Sequence, residues 1–145
     1  MVILIDSNIL FSMLVKKTGK TAEIFESLKD EHDLYISDVS FSELAKHQDK
    51  LLKISRLKRN DFEKLKQHLL SDLNILPNQF ITPAAISEAY GLVKEVDLND
   101  LPFVAAAIFL GGCLWTGDQK LYRGLVKGGF HQVYNSVTVQ KLINL

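Results

Sequence analysis

The chain of 145 residues carries 17 basic and 17 acidic side chains, is 47% hydrophobic and 23% charged, and is neutral overall. Such a length buries about 68–70% of its unfolded surface in one core, so a single domain over residues 1–145 is expected. A mean hydropathy of +0.07, with the longest apolar run (Leu101 to Trp115) broken by Pro102, Gly111 and Gly112, argues against a membrane protein. One cysteine, Cys113, excludes an internal disulfide framework or a cysteine-based zinc site, and its apolar setting in CLWT reads as a buried strand residue. The start, MVILIDSN, has no basic stretch and meets Asp6 after five residues, which points away from a signal peptide and toward a cytoplasmic protein.

Val2 to Ile5 is a continuous apolar run, the pattern of a short strand buried on both faces of a parallel sheet. Ser7 or Asn8 can cap a helix running to about Val15, and Ala22, Ile24, Phe25 and Leu28 mark a second helix ending near Asp30. Leu34 to Ile36 reads as the next strand. After a turn at 37–40, Phe41, Leu44, Ala45, Leu51 and Leu52 recur at helical spacing, which places Glu43 on a helix soon after that strand. A helix over 60–71 and a short strand at 74–76 follow. Pro83 opens a helix to about Lys94, because its missing N–H is harmless in a first turn. Asn99 reads as the cap of a helix from Asp100 to Leu110, which Gly111 and Gly112 end. Cys113 to Thr116 is a strand, Asp118 opens a helix to about Lys127, His131 to Tyr134 is a last strand, and Ser136 or Thr138 starts a terminal helix.

Alternating strands and helices imply an α/β fold: a single three-layer α/β/α sandwich around a parallel sheet, joined by right-handed crossovers. In such sheets the ligand crevice lies beyond the carboxyl ends of the strands. Asp6 and Asp118 fall there, Asp100 opens a helix, and Glu43 sits early enough on its helix to reach the same end. Each acid has a plainer reading alone: Asp6 and Asp118 as caps, Asp100 as a first-turn residue, Glu43 as a solvated helix charge. Together they point to a metal. Like charges about 4 Å apart repel by roughly 4 kcal/mol at an effective dielectric of about 20, so four converging carboxylates call for a cation. The histidines, His32, His47, His68 and His131, show no ligand spacing, and an oxygen-only site suits Mg2+ or Mn2+. Asp97 is a secondary ligand candidate or loop polarity, Thr116 a supporting hydroxyl or turn residue, and Asn8 a partner of Asp6 or a cap.

The neutral total hides an uneven distribution. The balance is −4 over residues 1–45, +5 over 46–66, −5 over 67–118 and +4 over 119–145, so two basic segments flank the acidic ones in sequence. Lys46, Lys50 and Lys53 share one side of the Glu43 helix, either as a solvated face or as phosphate contacts.

The opening IDSNIL resembles the first-acid motif of the PIN domains, a family of single-domain metal-dependent nucleases that includes many toxins of toxin–antitoxin pairs. SELAKHQDKL resembles the second-acid helix, and NDLPFVAAA and LWTGDQKL resemble the third and fourth acidic motifs. The likeness covers nearly the whole chain. It implies that Asp6, Glu43, Asp100 and Asp118 coordinate Mg2+ or Mn2+, that Thr116 supports them, and that the reaction is hydrolysis of RNA phosphodiester bonds. It also implies a homodimer and a small antitoxin partner. The chain departs from many small toxins of the family in being neutral rather than basic. A non-catalytic nucleic-acid-binding or scaffolding module is the alternative. A haloacid-dehalogenase-like phosphatase fits less well, because Asp6-Ser7-Asn8 lacks that family's second aspartate.

Overall fold

The structure, a computed structural model, describes residues 1–144. In chain order it contains β1 (Val2–Ile5), α1 (Ser7–Val15), α2 (Lys20–Leu28), β2 (Asp33–Ser37), α3 (Asp38–Ser55), α4 (Arg59–Ser71) and β3 (Asn74–Leu76). There follow α5 (Pro83–Val93), α6 (Leu101–Leu110), β4 (Cys113–Trp115), α7 (Gln119–Lys127) and β5 (Val133–Tyr134). Short 3-10 turns lie at Asn78–Phe80, Leu98–Asp100 and Thr138–Leu142.

The five strands form one parallel sheet in the order β3-β2-β1-β4-β5. From β1 the chain first winds outward through β2 and β3, then returns to add β4 and β5 on the other side. The order therefore reverses between β1 and β4, which is where a parallel sheet opens a crevice at its carboxyl end. Alternation along the strands divides the core. Ile3, Ile5, Leu34, Ile36, Cys113 and Trp115 pack toward α1–α4, while Leu4, Leu114 and Val133 pack toward α5–α7. The result is the three-layer α/β/α sandwich expected from the alternation of elements. Among the described residues, no helix is long and apolar enough to cross a membrane.

The caps explain most element boundaries. Ser37 Oγ accepts from the Val39 N–H to start α3, and Thr82 Oγ1 accepts from the Ala85 N–H at the start of α5, with Pro83 in the first turn. Three details differ from expectation. Asp6, not Ser7 or Asn8, caps α1. Asp97, not Asn99, accepts the capping bond before α6, because a 3-10 turn at Leu98–Asp100 moves the cap two residues upstream. The terminal segment is a 3-10 turn over Thr138–Leu142, held by Asn135 Oδ1, which accepts from the Val137 and Thr138 N–H groups.

Two consecutive glycines end α6 for different reasons. Gly111 adopts a left-handed conformation (φ +64°). A Cβ on Gly112 would lie 2.3 Å from the Val2 carbonyl oxygen, so this position has no room for a side chain between the α6–β4 turn and β1. Gly91, in the interior of α5, has nothing within 4 Å of the same construction. The pair gives opposite expectations. Gly112→Ala must displace backbone and should lower stability by about 1–3 kcal/mol. Gly91→Ala should raise it by about 0.5–1 kcal/mol through helix propensity. Thermal and denaturant melts of the two variants check the sign of each.

Candidate functional site

In the register of β1 and β4, Ile5 pairs with Trp115, so the next residues, Asp6 and Thr116, leave the sheet side by side. The Asp6 N–H extends the ladder to the Trp115 carbonyl at 3.0 Å, and the Thr116 N–H reaches the Tyr134 carbonyl at 3.0 Å. Both side chains are buried; Asp6 is 3% exposed and Thr116 0%. Thr116 Oγ1 donates to Asp6 Oδ2 at 2.7 Å and accepts from the Asp118 N–H at 3.1 Å. Asp118 Oδ1 in turn accepts from the Leu121 N–H at 3.1 Å and caps α7. One threonine hydroxyl thus sets the places of two of the four acids.

Asp6 Oδ1 accepts a long bond, 3.4 Å, from the backbone N–H of Asn8. The Asn8 contribution is therefore main-chain; its side chain is exposed. Glu43 lies one turn along α3 from Ser40, on the same side. Ser40 Oγ hydrogen-bonds Ser7 Oγ at 2.7 Å in a buried contact that ties the start of α3 to the start of α1 beside Asp6. From the sequence Ser7 reads as a helix cap and Ser40 as part of a turn; the signal for their joint role is adjacency to an acid, Ser7 directly after Asp6 and Ser40 one turn before Glu43.

Asp100 is the N-cap residue of α6 but makes no capping bond, and its Oδ2 is buried without any hydrogen-bond partner. Asp97 is committed to the preceding turn through its bond from the Asn99 N–H at 2.9 Å. Burial is the largest influence on Asp100 and, with the charges of Asp6, Asp118, Asp97 and Glu43, pushes its carboxyl up to about 7. Burial likewise raises Asp6; bonds from Thr116 and Asn8 pull the other way, and the charges of Asp118 and Glu43 add to the rise. Glu43 therefore acts electrostatically on both Asp6 and Asp100, and Asp100 feels the charges of the other three expected carboxylates. A cation fits these donors. It would satisfy the orphaned Asp100 oxygen and remove the repulsion that holds its proton on.

The four acids do not close into a compact ligand set. Among the described residues, the trio of acidic and histidine side chains with ligand atoms within 4.8 Å of one another is Glu26, His68 and Asp72, at the meeting of α2 and α4. Its sequence signal was the four-residue step from His68 to Asp72; the approach of Glu26 was not legible. Lys29 Nζ sits there already, 2.9 Å from Glu26 Oε2 and 3.3 Å from Asp72 Oδ2, and neutralises both carboxylates.

Lys46, Lys50 and Lys53 are exposed on α3, on the side that carries Glu43. None joins an ion pair among the described residues.

Three solved structures share the fold. VapBC2 from Rickettsia felis, bound to a DNA fragment from its promoter, superposes with a TM-score of 0.68 at 19% identity, over 93% of this chain and 98% of that one. DNA-bound VapBC from Salmonella typhimurium gives 0.69 at 15% identity, over 94% and 98%. VapBC-1 from nontypeable Haemophilus influenzae gives 0.68 at 18%, over 94% and 99%. No curated protein matches the chain by sequence. The family profile of the PIN domain matches residues 4–137, a span that takes in the end of β1, all of β4 and all four acids; the chain belongs to the PIN domain family.

Proposed function

We propose that the chain is a metal-dependent endoribonuclease that hydrolyses RNA phosphodiester bonds, and that it serves as the toxin of a toxin–antitoxin pair. The observation that carries this reading is the half-buried Asp100 carboxyl, pushed up to about 7, with one oxygen buried and unpartnered, among the charges of Asp6 and Asp118 at the sheet's switch point. PIN domains are in general nuclease-like and use divalent metals. The resemblance to VapBC complexes supports a small antitoxin partner, and a homodimer belongs to the same proposal.

Asp6, Asp100 and Asp118 would hold Mg2+ or Mn2+, with Glu43 joining directly or through water. Such an ion holds the scissile phosphate and lowers the pKa of a bound water toward neutrality. Thr116 keeps Asp6 and Asp118 in place throughout, Glu43 orients the attacking water, and Lys46, Lys50 and Lys53 hold phosphates along the strand. Water adds to phosphorus and gives up a proton, the bond to the leaving oxygen breaks, and that oxygen takes up a proton, so that one water is consumed. Among the described residues no three of these carboxylates bring ligand atoms within 4.8 Å of one another, which favours one other reading, a nucleic-acid-binding module of the same fold that does not cleave.

Cleavage of an RNA panel in Mn2+ separates the two. The parent protein should cut, and Asp6→Asn or Asp118→Asn should lower the rate at least a hundredfold with the fold intact by circular dichroism. Variants as active as the parent would sink the metal reading.

Melting without metal gives a second, independent check. A carboxyl whose pKa rises on folding contributes stability below its unfolded value, near 4, and loses it as pH climbs through its folded value, about 7 for Asp100. Asp100→Asn should therefore stabilise the metal-free protein at pH 8 by about 2 kcal/mol after allowance for solvent screening, raising its melting midpoint there and leaving it nearly unchanged at pH 4. Millimolar Mn2+ should raise the midpoint of the parent at pH 8 and shift that of Asp100→Asn much less.

A further inference from the structure

A groove of about 540 Å³ lies between the carboxyl end of α5 and α7 and is lined by Gly91, Leu92, Glu95, Val96, Lys120, Gly124, Lys127 and Gly128. A Cβ on Gly124 would strike Val96 Cγ2 at 2.5 Å, and one on Gly128 would come within 3.3 Å of Leu92 Cδ2. These pairings run in opposite directions, so α7 passes antiparallel to the 92–96 segment. The amino end of α7, capped by Asp118, therefore lies toward Asp100, and the groove leads away from those two acids. Lys120, Arg123 and Lys127 stand three and four residues apart on the exposed side of α7, opposite the buried Leu121 and Leu125. Among the described residues none of the three joins an ion pair. Glu95 is the only acid lining the groove.

We infer that Lys120, Arg123 and Lys127, with the groove beside them, form a track for the phosphate backbone of single-stranded RNA leaving the acid site. The inference rests on the ribonuclease reading and extends it to a second bank. The lysines of α3 lie on one layer of the sandwich and α7 lies on the other, with the carboxyl ends of β1 and β4 between them. A strand laid across the site meets positive charge on both sides, with Glu95 the one carboxylate along the α7 groove. The nine residues of α7 span about 13 Å, enough for about two to four successive phosphates. Gly124 and Gly128 let α7 lie close against Val96 and Leu92, and Gly91 leaves open space on the α5 side of the groove.

Fluorescence anisotropy of a labelled single-stranded RNA of about 20 nucleotides, measured on the full chain in EDTA over a series of salt concentrations, tests this. Lys120→Gln, Arg123→Gln and Lys127→Gln combined should weaken binding about tenfold or more at low salt and flatten the salt slope by about 2. A control of equal charge, Lys17→Gln, Lys20→Gln and Lys141→Gln, should keep most of the affinity and slope. All six positions are exposed, so melting midpoints should stay near that of the parent. An α7 variant that binds like the parent, or a control that loses as much, overturns the track while leaving cleavage by the parent untouched. A polyglutamate of matched charge that competes as well as the RNA would reassign the surface to an acidic protein and overturn it too. A parent that binds no RNA and cuts none overturns both the track and the ribonuclease reading.

Discussion

The hydroxyl of Thr116 is the joint on which the acidic site depends. It donates to Asp6 at the end of β1, accepts from the backbone of Asp118 beyond β4, and is itself fully buried. A lone carboxylate at 3% exposure would be costly to ionise. Here one short bond offsets part of that cost and does so across the gap between two parallel strands. The crevice of this fold is thus also a clamp, since the sheet cannot spread at the switch point without breaking a buried bond to a charged group. Asp100 receives no such help, and burial first, with the charges of the neighbouring acids adding to it, pushes its carboxyl up.

Much of this was written plainly in the sequence. VILI followed by Asp6, and CLW followed by Thr116 and Asp118, are each a strand too short and too apolar to be anything but a buried parallel strand. Polar chemistry begins at once at their carboxyl ends. What stayed hidden depends on register between distant elements. The bond between Ser7 and Ser40 spans 33 positions and is set by how α1 lies on α3, which no local pattern encodes. The meeting of Glu26 with Lys29, His68 and Asp72 likewise depends on α2 docking against the end of α4. The displaced cap before α6 has a different origin. Asp97, Asn99 and Asp100 all favour capping, and the tighter 3-10 turn settled the competition in favour of Asp97.

The zero net charge, which at first weighs against a polyanion partner, is resolved by geometry rather than by composition. The acids gather at one sheet end, while the unpaired lysines and arginine stand on helices in separate layers. Several remaining charges are consumed locally, as in the pairs Lys20–Glu23, Lys29–Glu26 and Lys66–Glu63. A field that is neutral at long range and strongly patterned at short range steers weakly from a distance and discriminates on contact.

The mounting of Asp100 has a mechanical consequence. Helix α6 buries Phe103, Val104, Ala105, Ala106 and Ala107 in succession, so it presents apolar surface all round and is pinned among β1, β4 and α5. Helix α3, which carries Glu43, buries only Ser40, Leu44 and Leu51 over its eighteen residues. The site therefore has a stiff wall and a compliant one. Local opening would reach the Glu43 side long before the Asp100 side, and any tightening around a bound ion would be borne by α3.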